Sequence, residues 1–202
     1  MYFYNRKNIK LKELKSYSDQ ELYILVGDKV KDSELAFSLL YERLSPKVWA
    51  YCLRLTDNET IAKDILQETF IEFYNIIDSE TIIMNIQTKL FNISRKIYLR
   101  ILRKRQDLIS FEEDIHSFVM PEDNDELLDL IKKALKKLPD DYKEIFILRE
   151  YNCLSYQEIQ EITGESLSNV KVRIHRARAK IRTILKNHIK EMKELNVDIN
   201  DF

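Results

Sequence analysis

The sequence predicts an all-α protein of two small helical domains joined by an acidic linker. Its 202 residues include only two Gly and three Pro, a composition that favours long helices over turn-rich β structure. Apolar residues recur at helical spacing from about Ser18 onward. Charge is segregated, because Lys89 to Arg105 holds seven basic and no acidic residues, whereas Asp107 to Asp129 holds nine acidic and no basic ones. The acidic run is typical of a tether, expected at 107–126.

The N-terminal half is expected to be helical almost continuously to Arg105. A first helix opens at Asp19 and closes near Gly27. The second has the sequence SELAFSLLYERLSPKVWAYCLRL, in which Pro46 predicts a bend or a helix break. A polar turn at 56–58 can then cap the helix that follows.

That third helix, TIAKDILQETFIEFYNII, is amphipathic. Its predicted core-facing residues are Ala62, Ile65, Leu66, Phe73 and Ile76, with Phe70 and Ile77 at the edge of the stripe. Asp64, Gln67 and Glu68 lie together on the opposite side as a polar patch. Taken alone, this patch is an ordinary exposed helix face.

A fourth helix is expected to begin at about residue 81 or 87, after a polar break at 78–80, and to end near residue 105. It contains the basic run of the N-terminal half, whose side chains could follow the phosphates of DNA. These residues are Lys89, Arg95, Lys96, Arg100, Arg103, Lys104 and Arg105.

The C-terminal half begins near Asp125 with ELLDLIKKALKKL, which Pro139 breaks. The segment DDYKEIFILRE then leads to two helices joined at Gly164. This glycine offers the left-handed conformation that ends a helix, and Ser166 can cap the next one. The tail after about Lys190 is expected to be a frayed helix.

The helix after Ser166 carries apolar residues at i, i+4, i+7, i+11 and i+14. From Ser166 through Lys190 the sequence has eight Lys or Arg and no acidic residue. The apolar stripe is Val170, Ile174, Ala177, Ile181 and Ile184. The opposite face contains Ser168, Val172, His175 and Arg176, with Asn169, Lys171 and Arg173 on its flanks. Arg173, Arg178 and Lys180 lie nearer the stripe, which suits phosphate contacts or packing of their stems. The pattern predicts a DNA-binding helix-turn-helix, with a merely solvated basic face as the alternative.

Other classes of function have little support. Cys52 and Cys153 are isolated in sequence and are expected to be buried free thiols in a reducing cytosol, so neither predicts a zinc site. No nucleophile–base grouping, phosphate-binding Gly loop or metal-ligand spacing appears, and a metal-dependent helical nuclease is the weakest hypothesis. The chain is not expected to be an enzyme or to need a cofactor. No apolar run approaches membrane length, so a soluble, cytoplasmic protein without membrane insertion is expected.

Two blocks of sequence resemble the bacterial sigma factors of the extracytoplasmic-function type, over about residues 18–187. The block LPDDYKEIFILREYNCLSYQEIQEITGESLSNVKVRIHRARAKIR is similar to the family's region 4. The block AFSLLYERLSPKVWAYCLRLTDNETIAKDILQETF is similar to region 2, whose acidic-x-x-Gln-Glu-x-Phe pattern appears as Asp64, Gln67, Glu68 and Phe70. A lone helix-turn-helix is shared by many regulators, whereas both blocks in this order with an acidic tether between them are specific.

The resemblance implies a sigma factor whose partners are core RNA polymerase and promoter DNA, and it allows an anti-sigma factor as a third. It implies domains at 16–106 (region 2) and 127–187 (region 4), with the linker at 107–126 and a tail at 188–202. In region 4, the residues matching the family's −35 contacts are Lys171, Val172, His175 and Arg176. In region 2, the polar patch would bind polymerase and the basic helix would engage the −10 strand.

Several residues depart from the family pattern. Lys89 stands where Trp is usual, Lys96 where Asn is usual and Arg100 where an acidic or polar residue is common, which puts −10 specificity in question. Gln160 replaces a small Ala and Glu165 an apolar turn residue. The alternative function is a transcriptional regulator with the same helix-turn-helix, whose N-terminal half would dimerise or bind an effector. Such a regulator would not need the polar patch.

Overall fold

A computed structural model of the chain describes residues 11–29, 32–77, 83–108 and 126–194. Every regular element in these ranges is helical, as the all-α prediction requires. The chain divides into two compact units, Met1–His116 and Ser117–Phe202. Most of the predicted linker, residues 109–125, lies outside the described residues, as does the predicted break at 78–80. None of the described helices has the length and apolar character needed to cross a membrane.

The first unit is a helical bundle. Its described helices are α1 (Leu11–Leu14), α2 (Asp19–Gly27), α3 (Ser33–Thr56), α4 (Glu59–Ile76) and α5 (Ile86–Leu108). Local capping fixes several of their ends. Ser18 and Glu21 form a capping box at the start of α2, and the Asn58 side chain accepts a hydrogen bond from the Ile61 amide at the start of α4.

Helix α3 continues through Pro46, so of the predicted bend or helix break the break is wrong. Proline removes one amide donor from the helix and leaves the carbonyl of Glu42 without its usual partner. Both Glu42 and Pro46 are exposed, so water can satisfy that carbonyl. The helix therefore tolerates the proline on its solvent side and ends only at the predicted turn, where Asp57 adopts a left-handed φ of 52°.

The core of the first unit is rich in aromatic side chains. The Tyr51 and Phe91 rings meet edge to face with centroids 5.1 Å apart, and Tyr23 lies 6.1 Å from Phe73. A buried polar contact fixes α4 against α5, since Thr69 Oγ1 lies 3.0 Å from Ser94 Oγ and both side chains are fully buried. Because buried polar groups are stabilised by hydrogen bonds, this contact favours the observed packing of α4 against α5.

The second unit contains the described helices α6 (Glu126–Lys136), α7 (Asp140–Phe146), α8 (Tyr156–Thr163) and α9 (Leu167–Glu194), with a π-helix, Ile147–Tyr151, directly after α7. Pro139 separates α6 from α7, as predicted. The π-helix has no counterpart in the sequence-based expectations. Ala177 and Ile181 of α9 pack in a buried cluster with Ala134 and Leu135 of α6, Leu138 of the connection that follows it, and Phe146 of α7.

The two cysteines differ in burial, which corrects the prediction for one of them. Cys52 is buried as expected, and burial raises the pKa of its thiol to about 12. Cys153 is exposed. It follows the π-helix in a left-handed conformation, with a φ of 54°, and the backbone folds back there through a hydrogen bond from the Leu154 amide to the Leu148 carbonyl. The side chain is thereby left outside the core.

Candidate functional site

Helices α8 and α9 are joined by a tight turn with the predicted geometry. Gly164 has a φ of 73°, and its amide donates to the Gln160 carbonyl at 2.8 Å, which ends α8. Ser166 Oγ then accepts from the Asn169 amide at 3.3 Å and caps α9. The other end of α8 has a capping box formed by Ser155 and Glu158. Local chemistry therefore fixes both ends of the short helix and the start of the long one.

The apolar stripe of α9 faces the core and leaves its opposite face open. Val170, Ile174, Ala177 and Ile181 are buried, and Ile159 and Ile162 of α8 are buried with them. Of the predicted DNA-contacting residues on the opposite face and its flanks, all but Arg173 are exposed: Ser168, Asn169, Lys171, Val172, His175 and Arg176. Val172 is 46% exposed although it is a large apolar residue, so it is available to contact a thymine methyl group.

Arg173, also a predicted DNA contact, is bound within the protein. Its Nη1 donates to Glu165 Oε1 at 2.9 Å and lies 3.2 Å from Asp141 Oδ2. Its side chain is only 33% exposed, in contrast to the neighbouring residues of the open face. Asp141 belongs to α7 and Glu165 to the turn, so one guanidinium joins three segments of the second unit.

Arg178 has an acidic partner as well. Its Nε and Nη2 lie 2.8 and 2.6 Å from Glu150 Oε1, and Glu150 belongs to the π-helix. Lys180 Nζ lies 5.7 Å from the centre of the Tyr142 ring, within cation–π range. Each of the three basic residues predicted to lie near the apolar stripe therefore contacts α7, the turn or the π-helix.

Gln160 and Glu165 are the two residues of the helix-turn-helix that depart from the family pattern. Gln160 is half-buried, and α8 and α9 still pack through their apolar residues. Leu167, half-buried at the start of α9, adds apolar surface beside the turn. The binding roles of Asp141 and Glu150 had no sequence signal, because both residues lie far along the chain from the arginines they contact.

The polar patch of α4 is exposed as predicted. Asp64, Gln67 and Glu68 lie on the solvent side, and Ile71, one turn further along, is 54% exposed beside them. Ile71 is not among the predicted residues of the patch, although its helical spacing places it on this face. Phe70 and Ile77, predicted at the edge of the apolar stripe, are both buried, while Leu66 and Ile76 are only partly buried.

The predicted basic residues of α5 differ in exposure. Lys96, Arg100, Arg103 and Lys104 are exposed, whereas Lys89 and Arg95 are half-buried. Helical spacing places Lys89, Lys96, Arg100 and Arg103 on one stripe. Arg100 Nη2 donates to Glu68 Oε1, so the basic stripe meets the polar patch of α4 through an ion pair.

Family models match both units. The model described as Sigma-70 region 2 matches residues 40–107, and that described as Sigma-70, region 4 matches residues 128–181. Among curated proteins, the chain is 32% identical over 173 residues to the ECF RNA polymerase sigma factor SigW of Bacillus subtilis, covering 78% of this chain and 92% of SigW. It is 31% identical over 164 residues to the RNA polymerase sigma factor YlaC of the same organism, covering 77% and 93%.

Two solved structures share the fold. The sigma factor RpoE, in complex with the anti-sigma factor NepR from Bartonella quintana, superposes with a TM-score of 0.64 at 27% identity, covering 74% of this chain and 96% of RpoE. CnrH, in complex with the cytosolic domain of CnrY, gives a TM-score of 0.59 at 23% identity, covering 84% and 97%, and shows the fold alone.

Proposed function

Because the chain belongs to the extracytoplasmic-function sigma factors of the sigma-70 family, we propose which of its surfaces bind promoter DNA and which bind RNA polymerase. As a sigma factor, it directs core RNA polymerase to specific promoters in transcription initiation. The polymerase performs the chemistry, and this chain contributes no catalytic residue. Its place of action is the bacterial cytoplasm, where polymerase and chromosome are found.

Region 2 extends over 16–106 and region 4 over 127–187, with the acidic linker at 107–126 and a tail at 188–202.

Region 4 binds the −35 element as duplex DNA. The observation that carries this assignment is the open face of α9, where polar, basic and apolar side chains are exposed opposite a stripe that is buried from Val170 to Ile181. Base edges are contacted by Lys171, Val172, His175 and Arg176. Near the start of the helix, Ser168 and Asn169 also bind the DNA. Arg173 and Arg178 could reach phosphate only by leaving their acidic partners.

Region 2 engages the opened −10 strand through α5. Its side chains form a stripe of positive charge that can follow a phosphate backbone. The residues proposed for this role are Lys89, Arg95, Lys96, Arg100, Arg103 and Lys104. Lys96 offers three donors and no acceptor, so it binds phosphate well but cannot pair with a base edge as Asn does.

Core polymerase binds the patch formed by Asp64, Gln67 and Glu68. The carboxylates are exposed on α4 and suit a basic helical partner, which would fix the register of the contact by salt bridges. Ile71 adds an exposed apolar side chain at the end of the patch, and its burial against polymerase would contribute to affinity. An anti-sigma factor is a further partner, since the related RpoE was solved in complex with one.

Transcription from a purified mixture tests the proposal. Core RNA polymerase and the chain are incubated with a library of genomic fragments, and the transcripts are sequenced. We expect transcripts that start at a common promoter sequence and that require both proteins. A regulator with the same helix-turn-helix would instead bind DNA without core polymerase and would fail to elute with it, an outcome that would refute the assignment.

A further inference from the structure

We propose that Glu165 is a positioning residue for −35 recognition: acting through Arg173, it fixes how α9 leaves the turn. Arg173 then binds acidic residues of this protein and not a DNA phosphate. This inference rests on the proposed role of α9 as the DNA-recognition helix. It concerns a residue of this chain that departs from the family pattern, since an apolar residue is usual in its place.

The contacts join the recognition helix to two other segments. Arg173 Nη1 lies 2.9 Å from Glu165 Oε1 in the turn and 3.2 Å from Asp141 Oδ2 on α7. The Glu165 side chain is only 19% exposed, so its contact with Arg173 is shielded from water more than an ordinary surface ion pair. Arg173 lies in the second turn of α9, next to Val172 and close to His175 on the open face.

Backbone hydrogen bonds and the Ser166 cap fix the two helix ends, but side-chain packing at the turn itself is sparse. A Cβ atom added at Gly164 would meet nothing within 4 Å, so no close packing holds the turn at that point. The Glu165 amide reaches Thr163 Oγ1 only at 3.4 Å, a long hydrogen bond. The carboxylate of the largely buried Glu165 side chain adds an electrostatic link that an apolar residue could not supply. The ion pair with Arg173 therefore ties the turn to the recognition helix.

The same contacts oppose a role for Arg173 in phosphate binding. Glu165 Oε2 is buried and has no hydrogen-bond partner among the described residues. If Arg173 moved to a phosphate, it would leave a largely buried carboxylate without its cation, which is strongly unfavourable. Lys171 and Arg176 are exposed and form no ion pair within the described part of the chain, so they are the better phosphate and base ligands.

The test compares Glu165→Ala, Arg173→Ala and the double variant in holoenzyme assembled with core polymerase. Glu165→Gln is the gentler variant should the alanine disturb folding, and Asp140→Asn is the control that removes a nearby exposed carboxylate without an ion pair in the described residues. Binding is measured on a −35 duplex that the wild-type holoenzyme enriches from a random library, and on a scrambled duplex of equal length. Each measurement is repeated over a range of salt concentrations.

We expect Glu165→Ala and Arg173→Ala each to weaken binding to the enriched duplex by about threefold to tenfold, with no further loss in the double variant. Binding to the scrambled duplex and the slope of log affinity against log salt should not change, and Asp140→Asn should resemble wild type. A slope that falls by about one in Arg173→Ala, with equal losses on both duplexes and tighter binding by Glu165→Ala, would mark Arg173 as a phosphate contact and overturn the proposal. A wild-type holoenzyme that enriches no sequence would overturn the proposed function itself.

Discussion

Arg100 on α5 forms an ion pair with Glu68 on α4, so a residue proposed to bind DNA is paired with one proposed to bind polymerase. Both side chains are about half exposed, and such a pair contributes about 0.2–1 kcal/mol to stability. Binding of polymerase to Glu68 would free Arg100 for phosphate at a cost of this size. Asp64, one turn before Glu68, forms no ion pair within the described residues and is therefore the simpler probe of polymerase binding.

Reversing the charge of Asp64 should weaken binding to core polymerase without loss of fold. Asp64→Lys changes an exposed carboxylate on the side of α4 away from the core, so we expect the free energy of unfolding to change by less than about 0.5 kcal/mol. Affinity for core polymerase should fall on the order of tenfold at low salt, and less at high salt, because the contact is electrostatic. Titration of the labelled chain with core polymerase at low and high salt measures this affinity.

Glu42→Lys is the matched control, since it reverses an exposed charge on α3 instead of α4. Glu68→Lys should add a small loss of stability from its broken pair with Arg100. If Asp64→Lys binds core polymerase as wild type does, or unfolds, the patch has a different role.

Replacing Lys96 by the usual Asn should exchange phosphate affinity for base recognition. Lys96→Asn removes one exposed positive charge from α5, so the slope of log affinity against log salt for single-stranded DNA should fall by about 0.7. An Asn can donate to and accept from a base edge, so preference among −10 sequences should sharpen. The measurement is binding of the holoenzyme to forked promoter DNA with each base varied. Unchanged slope and unchanged preference would show that Lys96 does not reach the strand.

The two thiols should differ sharply in reactivity. Burial raises the pKa of Cys52 to about 12, so this thiol stays protonated and inaccessible at pH 8, whereas Cys153 is exposed. One equivalent of a thiol reagent should react rapidly with the native protein, and a second only on unfolding. Cys153→Ser should abolish the rapid phase. A rapid phase that survives this substitution would contradict the burial of Cys52.

The same shift has a consequence for stability. An unfolded thiol titrates near its ordinary pKa of 9.0, while the folded one holds its proton to about pH 12. Below about pH 9 the thiol is protonated in both states and the free energy of unfolding is at its full value. As the pH rises from about 9 to about 12, the unfolded chain releases the proton and the folded protein does not, so the free energy of unfolding falls. Unfolding by denaturant at pH 8 and pH 10 would measure the decrease.

Sequence alone predicted those features that depend on neighbouring residues. The left-handed Gly164, the Ser166 cap and the turn at 56–58 follow from local backbone chemistry, and the buried stripe of α9 follows from helical spacing. Family resemblance supplied the order of the two regions, which the family models confirm.

Features that depend on contacts between distant residues were not predictable. Arg100 and Glu68 are 32 residues apart, as are Arg173 and Asp141, and no periodicity pairs them. The helix through Pro46 was not predictable for a similar reason, because whether a residue faces solvent depends on how the helices pack. The exposed Cys153 follows from the backbone turn after the π-helix, which no sequence pattern indicated. Acidic residues of other segments bind Arg173 and Arg178 of α9, a result that net charge could not indicate.

Arg176→Ala should weaken −35 binding and relax preference at one base position. Its side chain is exposed on the open face of α9 and forms no ion pair in the described residues, so it is free to pair with a guanine edge. The expected loss is about 1–3 kcal/mol if the contact is bidentate. Competition binding with the enriched duplex and its single-base variants measures both the loss and the position affected.

Arg182→Ala is the control for Arg176→Ala, because it removes an exposed arginine from the same helix six residues further from the turn. A helix-turn-helix contacts base edges through the first turns of its second helix, so a residue beyond them should affect only nonspecific binding. Arg182→Ala should therefore weaken binding to the enriched and scrambled duplexes equally. It should lower the slope of log affinity against log salt by no more than about one. Should Arg176→Ala show that same uniform loss, Arg176 binds phosphate, and sequence recognition must come from Lys171, Val172 and His175.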